Sequence, residues 1–381
     1  MKVSRGQPSA APLRGLPLAG QKYSVLGEEP FHRMIALERK RTERSGQPFV
    51  LMLLDGGECL PSDRNGRILS KILSALSLST RDTDVTGWYK DHSIVGVLFT
   101  DISADDRESI LGTMMARVSQ TLQNSLNLEK FEQIGISMHV FPEEWDQEST
   151  HGNPALYPDF ANRDQGRKIA HITKRAMDIV GSVVALTLLS PLFLMCALLV
   201  KLSSRGPILF RQERLGQFGK SFTFLKFRSM QVNNDASVHR EFVTKLIASE
   251  PERGPQPVDS KGGVYKMTND KRITPIGKFL RRTSLDELPQ FINVLRGEMS
   301  LVGPRPAIPY ELAVYKTWHR RRVLEVKPGI TGLWQVTGRS RVKFDDMVRL
   351  DLRYATSWSP WLDLKILMRT PRAVIGGAGA C

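Results

Sequence analysis

Two adjacent carboxylates, Asp286 and Glu287, stand in the run Arg281-Arg282-Thr283-Ser284-Leu285-Asp286-Glu287-Leu288-Pro289-Gln290, and Gly303-Pro304-Arg305-Pro306 follows a little further on. Such a set can hold a divalent cation and a phosphate together while a carboxylate attacks phosphorus. In a first helical turn, the positive end of the helix dipole keeps a carboxylate ionised, and free N–H groups there suit a phosphate. Neighbouring helical residues point about a quarter turn apart, so the two acids are expected to divide roles rather than form one clamp. A plainer reading uses the same residues: Ser284-Leu285-Asp286-Glu287 also fits a capping box with Ser284 as N-cap. Leu285, Leu288, Ile292 and Leu295 recur at helical spacing with Gly297 as the stop, and Pro289 sits deep enough for the start to slip.

These residues must be positioned by a chain of 381 residues, long enough for two domains that each bury a core. A net charge of +15 predicts anionic partners: nucleic acid, anionic lipid or a phosphorylated substrate. Cys59, Cys196 and Cys381 show neither paired nor metal-ligand spacing, so a reduced, cytosolic setting is expected. Residues 1–29 read as a disordered basic lead-in without the apolar core of a secretory leader.

Residues 30–145 predict one α/β domain, a sheet with packed helices. Helices are expected near 30–44, 64–77 and 104–124, and strands at 49–54, 94–99 and 134–141. Arg81-Asp82-Thr83-Asp84, Trp88-Tyr89 and Ile94–Phe99 resemble the setting of the diguanylate-cyclase (GGDEF) signature. Lys90-Asp91-His92-Ser93-Ile94 stands where that signature belongs, and Gly57 replaces an acid beside Asp55. The resemblance therefore implies a catalytically inactive relative kept for interaction or regulation. Residues 146–167, polar and rich in Pro, Gly and Asn, read as a linker.

The remainder, 168–381, predicts a mainly α, membrane-anchored domain. From Ile179 to Val200 the chain carries no charge, enough for a membrane helix over about 177–203. Ser190 and Pro191 break its middle, and both flanks are basic, with Lys168, Lys174 and Arg175 before it and Lys201, Arg205 and Arg211 after. A kinked helix that enters and leaves by one face satisfies both facts; a straight span with a tolerated proline is the alternative.

Beyond it, Phe224-Leu225-Lys226-Phe227-Arg228-Ser229-Met230 and Lys327-Pro328-Gly329-Ile330-Thr331-Gly332 through Arg339 are basic loops with aromatics and glycines, suited to phosphates. No nucleic-acid recognition pattern, Walker A loop or dinucleotide fingerprint accompanies them, so no nucleic acid partner is expected. Taken together, Lys174-Arg175…Asp178, Ser190-Pro191, Lys226–Met230, Ser284–Gln290, Gly303–Pro306 and Pro328–Arg339 resemble the bacterial sugar transferases that start polysaccharide assembly, the monotopic polyprenyl-phosphate hexose-1-phosphate transferases.

That resemblance implies an enzyme on the cytoplasmic face of the inner membrane. It would move a hexose-1-phosphate from a UDP-sugar to undecaprenyl phosphate and release UMP. By the same resemblance Asp286 matches the nucleophile of a covalent phosphosugar intermediate, and Glu287 its metal- or proton-handling partner. Arg281, Arg305 and Arg339 match phosphate contacts. Mg²⁺, suited to carboxylate and phosphate oxygens together, is the expected ion at Asp286 and Glu287. Membrane lipid is the remaining partner, and a homo-oligomer is left open. The rival readings are a membrane-tethered nucleotide-binding receptor without transferase activity and a basic nucleic-acid binder. The segment 231–270, with a helix expected over Val238–Ile247, is longer than a minimal enzyme of this kind needs.

Overall fold

The computed structural model describes residues 25–57, 59–63, 66–100, 102, 107–143, 153–160, 168–231, 240–241, 244, 247, 272–338 and 342–375. Most of the lead-in 1–29, much of the linker 146–167, most of the helix expected over Val238–Ile247 and Arg339 lie outside the described residues. The chain divides into two compact units, each described by itself.

The first unit runs α1 (Glu28–Ser45), β1 (Phe49–Asp55), α2 (Arg67–Ser79), β2 (Val85–Lys90), β3 (Ile94–Phe99), α3 (Arg107–Ser125), α4 (Leu128–Phe131) and β4 (Gly135–Phe141). Its strands lie in the order β2-β3-β1-β4 with every pair antiparallel. Val50, Met52 and Leu54 of β1 pack with Ile72, Leu76 and Leu122 of the helices in one core. On α1, Phe31 lies so close to the sheet that a Cβ at Gly96 would come within 2.3 Å of its ring. Glycine is the residue that admits that ring. The strand β2 has no counterpart in the sequence reading, because Gly87 interrupts its apolar pattern.

Part of the expected linker belongs to this unit. Asn153–Asp159 folds back, its turn Pro154–Leu156 burying Leu156, with Arg39 stacked on Tyr157 and ion-paired to Asp159. Polar composition concealed a segment held by Leu156, Tyr157 and a buried arginine.

The second unit contains α5 (Lys168–Leu188), α6 (Ser190–Ser203), the hairpin β5 (Leu209–Leu215) and β6 (Ser221–Phe227), α7 (Pro275–Thr283), α8 (Gln290–Arg296), β7 (Ser300–Val302), α9 (Thr317–Leu324), β8 (Gly329–Thr331), α10 (Leu333–Thr337), α11 (Phe344–Ser357) and α12 (Pro360–Ile375). It is mainly helical, with two small two-stranded sheets.

The apolar stretch is not one straight helix. It is the pair α5 and α6, bent by 65° at Leu189, and among the described residues no single helix is long and apolar enough to cross a membrane. The break has a local cause. Pro191 has no N–H for the Thr187 carbonyl one turn back, and the Ser190 hydroxyl donates to that oxygen at 2.8 Å instead. Val180, Leu188, Leu194, Leu198 and Leu202 stay exposed along the pair, which a helix in a soluble core would bury.

The other face of α5 is tied down by charge. Lys174 Nζ donates to Val302 O at 3.1 Å and to Asp363 Oδ2 at 2.6 Å, where Trp358 Nε1 also donates. Arg175 donates to Val294 O and Leu295 O, carbonyls in the last turn of α8, at 2.7 and 2.8 Å. Asp178 Oδ1 accepts from Ser300 Oγ and Leu301 N, both at 2.9 Å. Two of the six basic residues that read as a topology signal, Lys174 and Arg175, are thus internal anchors, while Lys168, Lys201, Arg205 and Arg211 are exposed. Asp363, which had no expected role, is part of the Lys174 anchor.

Candidate active site

The acids sit on a short broken segment. α7 ends at Ser284, whose φ of 58° is left-handed, and Leu285–Glu287 forms a single 3₁₀ turn before α8 starts at Gln290. The expected capping box is absent, since Ser284 makes no side-chain cap. A non-glycine left-handed residue costs about 1 kcal/mol, and here it turns the chain sharply just before Asp286. Pro289, with no N–H to give, separates the turn from α8, and Gly297 at φ 82° ends that helix as expected.

Asp286 is buried, with 6% of its surface exposed, whereas Glu287 is only partly covered. Between them reaches Lys226 from β6, its Nζ 2.9 Å from Glu287 Oε1 and 3.8 Å from Asp286 Oδ2. The ammonium lies over the Phe224 ring, two residues back on the same face of the strand. Sequence reasoning noticed the Lys226 block without giving the lysine a role. A lone cation inside Phe222-Thr223-Phe224-Leu225-Lys226-Phe227 was the available signal.

Arg281, in the last turn of α7, donates its Nε to Ser229 Oγ at 2.8 Å. Gly277 lets that contact form, because a Cβ there would lie 2.0 Å from Ser229 O. Arg281, Lys226 and the acids therefore share one platform. Its core is Phe227, Leu280 and Leu288, packed with Cys196 and Val200 of α6. Asn293, buried in α8, binds α8 to β6: its Oδ1 accepts from Leu225 N at 3.1 Å and its Nδ2 donates to Thr223 O at 2.7 Å. That residue also escaped the sequence reading, although an amide amid Phe291, Ile292, Val294 and Leu295 was a visible anomaly.

Arg305 belongs to a second basic group. Its side chain is exposed, while its loop rests on two buried arginines, Arg214 and Arg322. Burial, with Arg305 beside it, pulls Arg214 down to about 10, which still leaves it charged at neutral pH. Arg322 pairs with Asp351 at 2.9 Å. Burial works against its charge, but Tyr315, Asp351 and Glu311 outweigh that and hold it above its ordinary value.

On the same helix as Arg322, His319 is fully buried. Its Nδ1 accepts from Lys316 N at 3.2 Å, so the proton sits on Nε2, which faces Asp345 at 3.0 Å. Burial pushes His319 down to about 4 despite the aspartate. A histidine depressed when folded binds fewer protons than the unfolded chain between pH 4 and 6.5, so its contribution is complete above 6.5 and lost as pH falls toward 4. The second unit is expected to lose at most about 3 kcal/mol through this group across that window. Thermal unfolding from pH 7 to 4.5 should show a steeper acid decline in the parent than in His319→Gln, and parallel curves would contradict it.

Two carboxylates bridged by an ammonium, beside an arginine and backed by an exposed apolar helix pair, suit phosphoryl chemistry at a lipid surface. The model for the family "Bacterial sugar transferase" matches residues 169–377, and the chain belongs to that family. The exopolysaccharide production protein ExoY of Rhizobium meliloti is 40% identical over 228 residues, which is 59% of this chain and 96% of that protein. The UDP-glucose:undecaprenyl-phosphate glucose-1-phosphate transferase of Escherichia coli is 42% identical over 210 residues, or 53% of this chain and 40% of that one. The chain thus spans less than half the length of several curated relatives it matches. A diguanylate-cyclase protein from Thermotoga maritima matches 32% of this chain and 88% of its own at 18% identity and a TM-score of 0.25, a likeness too slight to carry an argument.

Proposed function

We propose that the protein transfers a hexose-1-phosphate from a UDP-sugar to undecaprenyl phosphate, releasing UMP, at the cytoplasmic face of the membrane. The observation that carries this reading is the shared core: Cys196 and Val200 of the bent helix pair pack against Phe227, Leu280 and Leu288, the neighbours of Lys226, Arg281 and Glu287. A pair dipping into one leaflet and returning would bring a phosphate-handling carboxylate to the height of lipid headgroups. The relatives named for UDP-glucose or UDP-galactose and a lipid carrier point to the same substrates.

In the proposed reaction an Asp286 carboxylate oxygen attacks the β-phosphorus of the UDP-sugar. The bond to the bridging oxygen breaks, and UMP leaves with that oxygen and its electron pair. The phosphate of undecaprenyl phosphate then attacks the same phosphorus, restoring the carboxylate and giving the lipid-linked diphosphosugar. Lys226 holds the neighbouring acids apart in charge, and Arg281 is placed to meet phosphate oxygens. Arg305, exposed on the Gly303–Ala307 loop, is the second guanidinium proposed to meet the donor's phosphates.

Asp286 and Glu287 would hold Mg²⁺. Such an ion takes one or two carboxylates and completes its shell with phosphate and water, and it would share these two with the Lys226 ammonium. When bound it supplies charge neutralisation at the phosphate oxygens. In the first unit, Lys90-Asp91 stand where a cyclase signature has its glycines and His92-Ser93 where it has its acids, so that unit is read as non-catalytic.

The test is UMP release by purified protein in detergent with undecaprenyl phosphate and a panel including UDP-glucose and UDP-galactose. One or a few donors should give UMP. Release from none, alongside nucleotide binding by the full chain, would favour the receptor reading instead.

A further inference from the structure

The loop Gly303–Ala307 has an unusual backbone arrangement. Two of its residues, Pro304 and Pro306, have no N–H, and successive carbonyls from Pro304 to Ala307 are all taken up. Pro304 O accepts from Gly329 N at 2.8 Å, and Ala307 O accepts from Leu215 N at 2.9 Å. The middle two are held by side chains. Arg305 O accepts from Arg322 Nη2 at 3.1 Å, and Pro306 O from Arg214 Nη1 at 2.7 Å. The Arg305 side chain remains exposed above this buried main chain.

Each supporting guanidinium is itself fixed. Arg322 pairs with Asp351 and donates Nη1 to Tyr315 Oη at 3.2 Å, and that hydroxyl lies 3.0 Å from Glu311 Oε2. Arg214 donates Nε to Gln212 Oε1 at 3.0 Å and stacks on Phe224 at 5.1 Å, on the strand that carries Lys226. Among the described residues Arg214 has no ion pair; Arg305 lies beside it as a like charge, and Glu311 offsets that charge only in part, leaving Arg214 below its ordinary value. A carbonyl needs only a neutral donor. A charged group buried behind a second charge is costly unless an anion is drawn to the pair.

We propose that Arg214 and Arg322 are positioning residues for Arg305: they hold the main chain under it, fix the direction of its guanidinium and keep local positive potential behind the donor's phosphates. This rests on the transferase reading for the identity of the anion, but not for the clamp. A misplacement of about 1 Å at a phosphate contact is enough to cost on the order of 10²-fold in rate. Phe224 links the two groups physically, since its ring meets Arg214 and Lys226.

A double-mutant cycle separates positioning from plain folding support. Arg214→Lys keeps the charge but cannot fork to Gln212 and Pro306 together. Alone it should lower kcat/KM by about tenfold or more, mostly through KM for the UDP-sugar, while the thermal midpoint moves little. In an Arg305→Ala background it should cost almost nothing further, because contacting pairs are non-additive. Equal losses in both backgrounds would overturn the proposal. A second measurement needs no turnover: hydrogen exchange at the Arg305 and Ala307 amides of the full chain should speed up in Arg214→Lys, and unchanged exchange would overturn the clamp. Where Arg214→Lys does not accumulate folded, Gln212→Ala tests the same support more gently, with the same two readouts. If the parent releases UMP from no donor, the transferase reading fails while the exchange result still decides the clamp.

Discussion

Asp286→Asn is expected to abolish turnover, lowering UMP release on the order of 10⁴-fold or more, as removal of a nucleophile does elsewhere. The amide is nearly the same size, so the buried side chain keeps its place beside Lys226 and the platform of Phe227, Leu280 and Leu288 stays packed. What disappears is the negative oxygen. Intact mass of the parent mixed with donor in the absence of lipid should show a hexosyl-phosphate adduct, and fragmentation should place it on Asp286. The asparagine variant should show none, with an unchanged thermal midpoint. Glu287→Gln should instead retain the adduct at reduced rate, since that more open residue supports the chemistry without forming the bond. An asparagine variant that turns over like the parent would leave Asp286 without the role proposed for it.

How much of this was legible before the fold is best seen in particular residues. Local signals transferred well. Gly297 stops α8, Ser190 and Pro191 bend the apolar stretch, and the first unit's helices α1, α2 and α3 and its strands β1, β3 and β4 lie close to where apolar spacing put them. Each depends on residues within a turn or two of one another. What failed or was missed depends on distant partners. Lys226 gains its meaning from Glu287, 61 residues away, and the acid beside it, and Lys174 from Asp363, 189 residues away. Arg175 likewise reads as membrane flank, and Asp178 only as part of a family-like block, until α8 and β7 are placed against them. The capping box failed for a different reason. The motif at Ser284–Glu287 is satisfied in sequence, but the left-handed turn at Ser284 and the break at Pro289 let the chain present Asp286 from a 3₁₀ turn rather than a regular first turn. A frequent local pattern was overridden by the geometry of the site.

The second large effect is expected at Lys226. Removing its ammonium, as in Lys226→Met, leaves the carboxylates of two adjacent residues, one of them buried, without the cation that lies 2.9 Å from one and 3.8 Å from the other. Like charges at close range resist joint ionisation, so a proton is retained to higher pH, and a protonated carboxylic acid is a poor nucleophile. The expected outcome is a fall of about 10²-fold in kcat/KM at neutral pH, together with an acid limb of the pH–rate profile displaced to higher pH. Raising the pH should recover part of the loss. Lys226→Arg should behave more mildly, since the charge survives although the fork fits a different geometry over Phe224. A purely structural lysine predicts something else: a lower thermal midpoint with an unmoved profile. The displacement of the acid limb is therefore the measurement that decides whether the cation between Asp286 and Glu287 governs their ionisation or merely packs β6 against them.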